Sequence, residues 1–337
     1  MGKGNAFHKG GGVFLLLPLL LYSYNPKGLS ISYSSTDNIY LLDIKDRGSI
    51  MSISPFLSYD NFIDFQYYGN FSVVNFDNSN LYLDNYIEMQ KKVYLPGVGN
   101  KNIFYLNFYN FFSTSYEIYR IYEIALGDSL NIYLEDNYLS SSGIQLKYKV
   151  FPDDSINNYF EPGLNLSISI PLPYFFFSPR FSTGFRIFND ESMLFYKVSS
   201  SIYFPMTLDF SLSLSLSYYN LQPPDIEFSI INTYLDDPFY EVEAIKEMTE
   251  FNINLFKLFP DIDSRVDLNI HLFDKRFFEV DNISRNDKGF KANLKFSKML
   301  RENLITNAKF ESYINSSTFP DFEYTRNTIG LSLQLIF

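Results

Sequence analysis

The chain has 337 residues, a net charge of -11, no Cys, and 36 Phe and 28 Tyr that bring aromatics to 19%. The missing Cys excludes disulfides, thiolate metal sites, cysteine nucleophiles and a lipidated N-terminal Cys, and the acidic balance argues against nucleic acid, whose phosphates need a basic surface. Hydrophobic residues reach 46% at a mean hydropathy of only -0.09, with no apolar run after the N-terminus as long as the roughly 18 residues of a spanning helix.

Residues 1–24 read as an export signal. Lys3 and Lys9 precede the apolar run Val13–Leu21, which is too short to cross a bilayer as a helix. Tyr22-Ser23-Tyr24-Asn25 lacks a small-x-small cleavage pattern, so the boundary is not fixed and an uncleaved anchor stays open. Residues 25–337 read as one β-domain.

From residue 29 onward, apolar and polar residues alternate with period 2. Leu29, Ile31 and Tyr33 alternate with serines, and Ile63, Phe65, Tyr67, Phe71 and Val73 oppose Asp64, Gln66, Asn70 and Ser72. Ile144, Leu146, Tyr148 and Val150 oppose Gln145, Lys147 and Lys149. Residues 207–217 read as one strand, with Leu208 to Leu216 opposing Asp209 and four serines. Val266, Leu268, Ile270 and Leu272 oppose Asp267, Asn269 and His271, and Phe290 to Phe296 oppose Lys291, Asn293 and Lys295. Only Glu241–Glu250 suggests a helical turn or two.

Connections alternate between short and long over residues 150–337. Short turns are expected at Pro173-Tyr174, Pro205-Met206 and Pro260-Asp261. Longer polar loops are expected at 153–158, 189–192, 220–248, 276–288 and 315–326. A soluble sandwich or propeller shares the alternating strands but has no reason to alternate its connections.

The last ten residues close the argument. Ile329, Leu331, Leu333, Leu335 and Phe337 share one strand face, and Thr328, Gly330, Ser332 and Gln334 share the other. This stretch resembles the closing strand of Gram-negative outer-membrane β-barrel proteins, a porin-like class. The resemblance implies an antiparallel up-and-down transmembrane barrel of about 16 strands, with 14 to 18 allowed, in the cell outer membrane. It also implies an assembly signal at Gly330, Leu333, Leu335 and Phe337 that the barrel-assembly machinery reads, and a lipid bilayer as the surrounding partner.

Inward assignment of the polar faces is the safer choice, because a lipid-facing Lys or Arg costs about 2–4 kcal/mol at mid-membrane. That assignment places Lys147, Lys149, Arg180, Arg186, Lys197, Asp267, His271, Lys291, Lys295 and Lys309 in the lumen. Asp64, Glu135, Asp209 and Glu311 join them, giving a mixed, mildly basic lining. Loop 220–248 carries seven acidic residues against Lys246. Folded inward it would resemble the acidic constriction loop of general porins, where charge rings set ion preference. Aromatic pairs such as Tyr218-Tyr219 and Phe277-Phe278 fit interfacial girdles.

Catalysis finds little support. His271 is the only histidine after the signal segment, and its neighbours Asp267 and Asn269 lie too far along the strand, at about 7 Å per two residues, for an assured triad. One His and no Cys also leave only carboxylates for a metal, and Asp236-Asp237 and Asp261-x-Asp263 lack calcium-loop spacing. No enzyme activity and no cofactor are expected. The reading is a passive channel for small polar solutes. The alternative is a non-channel surface barrel, plugged by its own side chains, with a structural, adhesive or binding role.

Overall fold

In the computed structural model, 16 antiparallel strands close into one barrel. The structure describes residues 27–36, 48–59, 63–75, 80–97, 99–113, 119–134, 138–152, 158–188, 192–222, 245–278, 285–319 and 322–337. The export segment 1–24 and most of the acidic loop lie outside these residues. The strands in chain order are β1 (Lys27–Thr36), β2 (Gly48–Tyr59), β3 (Asp64–Asn75), β4 (Asn80–Tyr94), β5 (Lys101–Ser113), β6 (Tyr119–Tyr133), β7 (Leu139–Val150) and β8 (Tyr159–Pro171). They continue with β9 (Phe176–Ile187), β10 (Ser192–Thr207), β11 (Phe210–Gln222), β12 (Ile245–Phe259), β13 (Ser264–Phe277), β14 (Asn286–Arg301), β15 (Leu304–Ser317) and β16 (Tyr324–Ile336).

Each strand pairs with its sequence neighbours, and β16 pairs with β1 to close the ring, from Gly28↔Ile336 to Thr36↔Thr328. The Phe337 amide donates to the Lys27 carbonyl at 2.8 Å, extending the seam by one bond. Closure matters because an open edge would leave a row of backbone donors and acceptors unpaired in lipid. Lys27 and Phe337 share one end of the barrel, the proximal end. Connections there span 2 to 6 residues, whereas those at the distal end span 4 to 22.

Period-2 alternation sets the two faces of the wall. Ile31, Leu216 and Leu331 are 40%, 50% and 64% exposed on the outer face, while Ser30, Ser217 and Gln334 are buried on the inner one. An aliphatic outer band over a polar interior fits lipid outside and water inside. Where polar residues do face outward, they satisfy one another: the Tyr67 hydroxyl donates to Asn85 at 3.0 Å, and Asn85 donates to Asn110 at 3.4 Å.

Four inward aromatics lie opposite a glycine on the next strand: Phe56↔Gly28, Tyr105↔Gly127, Phe195↔Gly184 and Phe273↔Gly289. A Cβ at Gly184 would meet the Pro162 carbonyl at 2.1 Å and the Phe195 ring at 2.8 Å. The missing side chain lets the ring lie against the wall opposite each glycine.

The structure moves several expected boundaries. Pro205 and Met206 belong to β10, with a bulge between Pro205 and Thr207, and the turn is Leu208–Asp209. Proline is tolerated there because a bulge needs no ladder donor. Residues 207–217 are therefore not one strand. Ile245–Glu250 is the start of β12 and not helix, because its partner positions on β13 supply ladder bonds that a lone helical turn lacks. Lys288 lies inside β14 and not in a loop.

Asp209, expected in the lumen, sits in the proximal turn. The Lys257 ammonium and then the Thr207 hydroxyl hold its carboxyl down to about 2. A depressed carboxyl adds stability above its unfolded pKa and loses it as pH falls through the folded one. Wild type and Asp209→Asn should therefore differ in denaturant midpoint at pH 7 and converge as pH approaches 2.

Candidate pore lining

Strand parity places Lys147, Lys149, Arg180, Arg186, Lys197, Asp267, His271, Lys291 and Lys295 on the inner face, with Asp64, Lys309 and Glu311. They do not form one cluster. Glu135 lies outside the described residues. Gly330 faces inward opposite Ser34, while Leu333 and Leu335 face outward opposite Ile31 and Leu29. Phe337 is 69% exposed at the proximal rim.

The lining is segregated by charge around the ring. On β3–β6 the inward groups are Asp64, Asp84, Glu88 and Glu123 against Lys92 and Lys101, a net of -2. On β7–β10 they are Lys147, Lys149, Arg180, Arg186 and Lys197 against Glu161, a net of +4. On β13–β16, Arg265, Lys275, Lys291, Lys295, Lys309 and Arg326 oppose Asp267, Asp287 and Glu311, a net of +3. A field therefore crosses the lumen from the acidic β3–β6 to the basic β7–β10 and β13–β16.

Local pairing decides which charges reach the lumen. Glu161 accepts from Lys147 at 2.7 Å and from the Arg186 Nε at 3.0 Å. The Arg186 guanidinium also stacks 4.6 Å above Tyr159. At 6% exposure Arg186 is locked into the wall and does not face open lumen as expected. Arg180, by contrast, is exposed and makes no ion pair among the described residues. On the acidic side, Lys92 pairs with Asp64. The Tyr86 hydroxyl donates to Glu88 at 2.7 Å, and Gln90 donates to the same carboxylate.

His271 finds a partner on the neighbouring strand instead of its own. Its Nε2 lies 3.1 Å from Glu250, and the Ser217 hydroxyl donates to the other Glu250 oxygen at 2.9 Å. Asp267 is held by Arg265, and Asn269 donates to Asn254. Ser217 and His271 thus share a carboxylate and make no hydrogen bond to each other, so the base does not reach the hydroxyl as a triad requires.

At the distal end the inward residues turn apolar. Ile121, Phe151, Tyr159, Phe188, Met193, Leu221, Ile245, Phe277 and Phe278 form one buried cluster, none more than 7% exposed. Phe277 therefore faces inward, Phe278 packs in the same cluster just past the end of β13, and neither belongs to an outward girdle. Below this end lies a polar knot. Arg285 donates to both oxygens of fully buried Asp287, and the Arg285 guanidinium lies 4.2 Å from the Phe277 ring and 3.5 Å from Phe322.

No protein-family model matches the sequence, and no curated protein matches it. Among solved structures, CdiB from Acinetobacter baumannii is similar at a TM-score of 0.55 and 14% identity, over 94% of this chain and 60% of that one. The outer membrane protein OpdK from Pseudomonas aeruginosa gives a TM-score of 0.52 at 7% identity, over 93% of this chain and 99% of that one. A second OpdK structure, with vanillate, gives 0.51 at 8% identity over the same shares. At these identities the likeness is one of fold. The closed ring and the outer aliphatic band make this a 16-strand antiparallel β-barrel, and its fold is the one it shares with these outer-membrane neighbours.

Proposed function

We propose that the barrel is a passive outer-membrane channel for small polar solutes, with the proximal end in the periplasm. The observation that supports it most is strand number combined with a charged inner face. Barrels of about 16 strands are wider than wall side chains can fill and leave an aqueous path. The glycine-backed aromatics keep rings off the axis. Transport needs no covalent step or cofactor; it selects by width and by the transverse field.

The expected result in a planar bilayer is a discrete conductance step from the pure, folded protein. Arg180 is the exposed cation of the lining, so Arg180→Glu should move ion preference toward cations, read as a shift in reversal potential across a salt gradient. Absence of any step sinks the channel reading. An unchanged reversal potential removes Arg180 from the lining. The barrel-assembly machinery belongs to this reading as the partner that receives Phe337, and the bilayer as its solvent.

The distal cluster favours a second reading. Nine apolar inward side chains packed to near-zero exposure are what a barrel closed at its outer mouth would present. In that case the protein is a surface barrel with a structural or binding role, and the conductance step is missing while the fold is intact.

A further inference from the structure

The inner wall of β14–β16 gathers more cation than its carboxylate can neutralise. Glu311 is buried and serves three partners at once: Lys309 at 2.9 Å, Arg326 at 2.9 Å and Lys291 at 3.5 Å. A fourth cation, Lys295, sits directly opposite Lys309 in the β14–β15 register. Lys295 makes no ion pair among the described residues, because nearby Asp267 is held by Arg265. Four cations on one carboxylate leave a local charge of +3.

The register arranges these groups in tiers. Lys291, Tyr313 and Arg326 form one tier, and Asn293, Glu311 and Thr328 the next. Lys295, Lys309 and Gly330 form the third. Directly opposed side chains on one face have Cβ atoms about 4.5–5.5 Å apart, and like charges so placed repel. Gly330 beside Lys309 has no side chain, and a Cβ there would press on Ser34 at 3.2 Å. The third tier therefore sets two ammonium groups side by side with no side chain on β16 to pair with them. The Arg326 Nε also lacks an acceptor, a further sign of surplus donors.

We infer that the Lys291–Lys295–Lys309–Arg326 cluster is a binding site for a tetrahedral dianion, a phosphate or sulfate group on a small solute. A charge of +3 is halved or better by a dianion, and a tetrahedral group offers more than two oxygens to opposed ammonium groups. A carboxylate offers two oxygens and one charge. The inference rests on the channel reading for its access to solute, but binding itself requires no ion flow.

The test is calorimetric titration of the folded, full-length barrel in detergent at pH 8, with inorganic phosphate as probe and acetate as the monoanion control. Phosphate should bind at one site per barrel, compete with sulfate, and exceed acetate by about tenfold or more. Lys295→Gln, which breaks no ion pair, should weaken phosphate about tenfold, the loss of one charge-assisted hydrogen bond. Lys288→Gln, on the exposed outer face, should leave binding unchanged. No phosphate binding, equal binding of acetate, or an unaltered Lys295→Gln protein overturns the site. Phosphate binding without a conductance step in bilayers would refute the channel alone, and a conductance step without phosphate binding would refute the site alone.

Discussion

Asp287→Ala should lower the unfolding free energy of the barrel by about 3–5 kcal/mol, the cost of leaving one partner of a buried ion pair uncompensated. Asp287 is fully buried and Arg285 is 4% exposed. The carboxylate also accepts from Ser317 at 2.5 Å and from Asn315 at 3.2 Å. Removing it takes the carboxylate from a buried guanidinium that lies between Phe277 and Phe322. The double variant Asp287→Leu/Arg285→Met should recover most of the loss, because replacing a whole buried pair by apolar groups is often close to neutral. Denaturant titration of vesicle-embedded protein measures both. A single variant as stable as wild type would show that the knot adds nothing.

The same knot joins two connections at the distal end. The Phe277 amide donates to the Arg285 carbonyl at 3.1 Å, and the Thr318 amide donates to the Asn286 carbonyl at 3.0 Å. The pair thus ties the chain entering β14 to the chain leaving β15. Its loss should be felt first at the distal mouth, with the proximal ladder retained.

Legibility followed the strictness of alternation. β13 and β16 were readable residue by residue because every outward position between Val266 and Leu272, and between Ile329 and Leu335, is aliphatic. β4 was not, because outward Asn85 and Lys91 interrupt its apolar face, so Glu88 and Asp84 were missed as lumen carboxylates. Glu123 lies on an inner face of β6 that also carries Ile121, Ala125 and Gly127, so alternation does not mark it as a lumen carboxylate. Pro205 looked like a turn but is absorbed by a bulge. Which charges pair is a matter of register: Glu161 meets Arg186 across 25 residues of chain and Glu250 meets His271 across 21. Spacing within one strand cannot show such contacts. Phe277 is placed inward by its parity, and Phe278, one residue past the end of β13, joins the same cluster where the alternation has stopped, so the sequence pattern shows neither contact.

Glu311→Ala should be the most consequential change inside the lumen. Glu311 is 5% exposed, while its partners Lys291, Lys309 and Arg326 have side chains 35%, 39% and 21% exposed. Because the cations keep some water, the stability loss should sit at the low end for a broken buried pair, about 3 kcal/mol. The charge of the cluster rises from +3 to +4, and with repulsion no longer offset, the lysines should swing into the lumen. Added salt should restore part of the stability, because the Debye length falls from about 10 Å at 0.1 M to about 3 Å at 1 M. Ion preference should shift toward anions in the variant, opposite in sign to Arg180→Glu. Adding Lys309→Ala should reverse both effects, since it returns the cluster to +3 without a carboxylate to satisfy. If the single variant kept wild-type stability at low salt, Glu311 would not be the keystone of this wall. If the double variant were worse than the single one, Lys309 would be held by packing, with charge secondary.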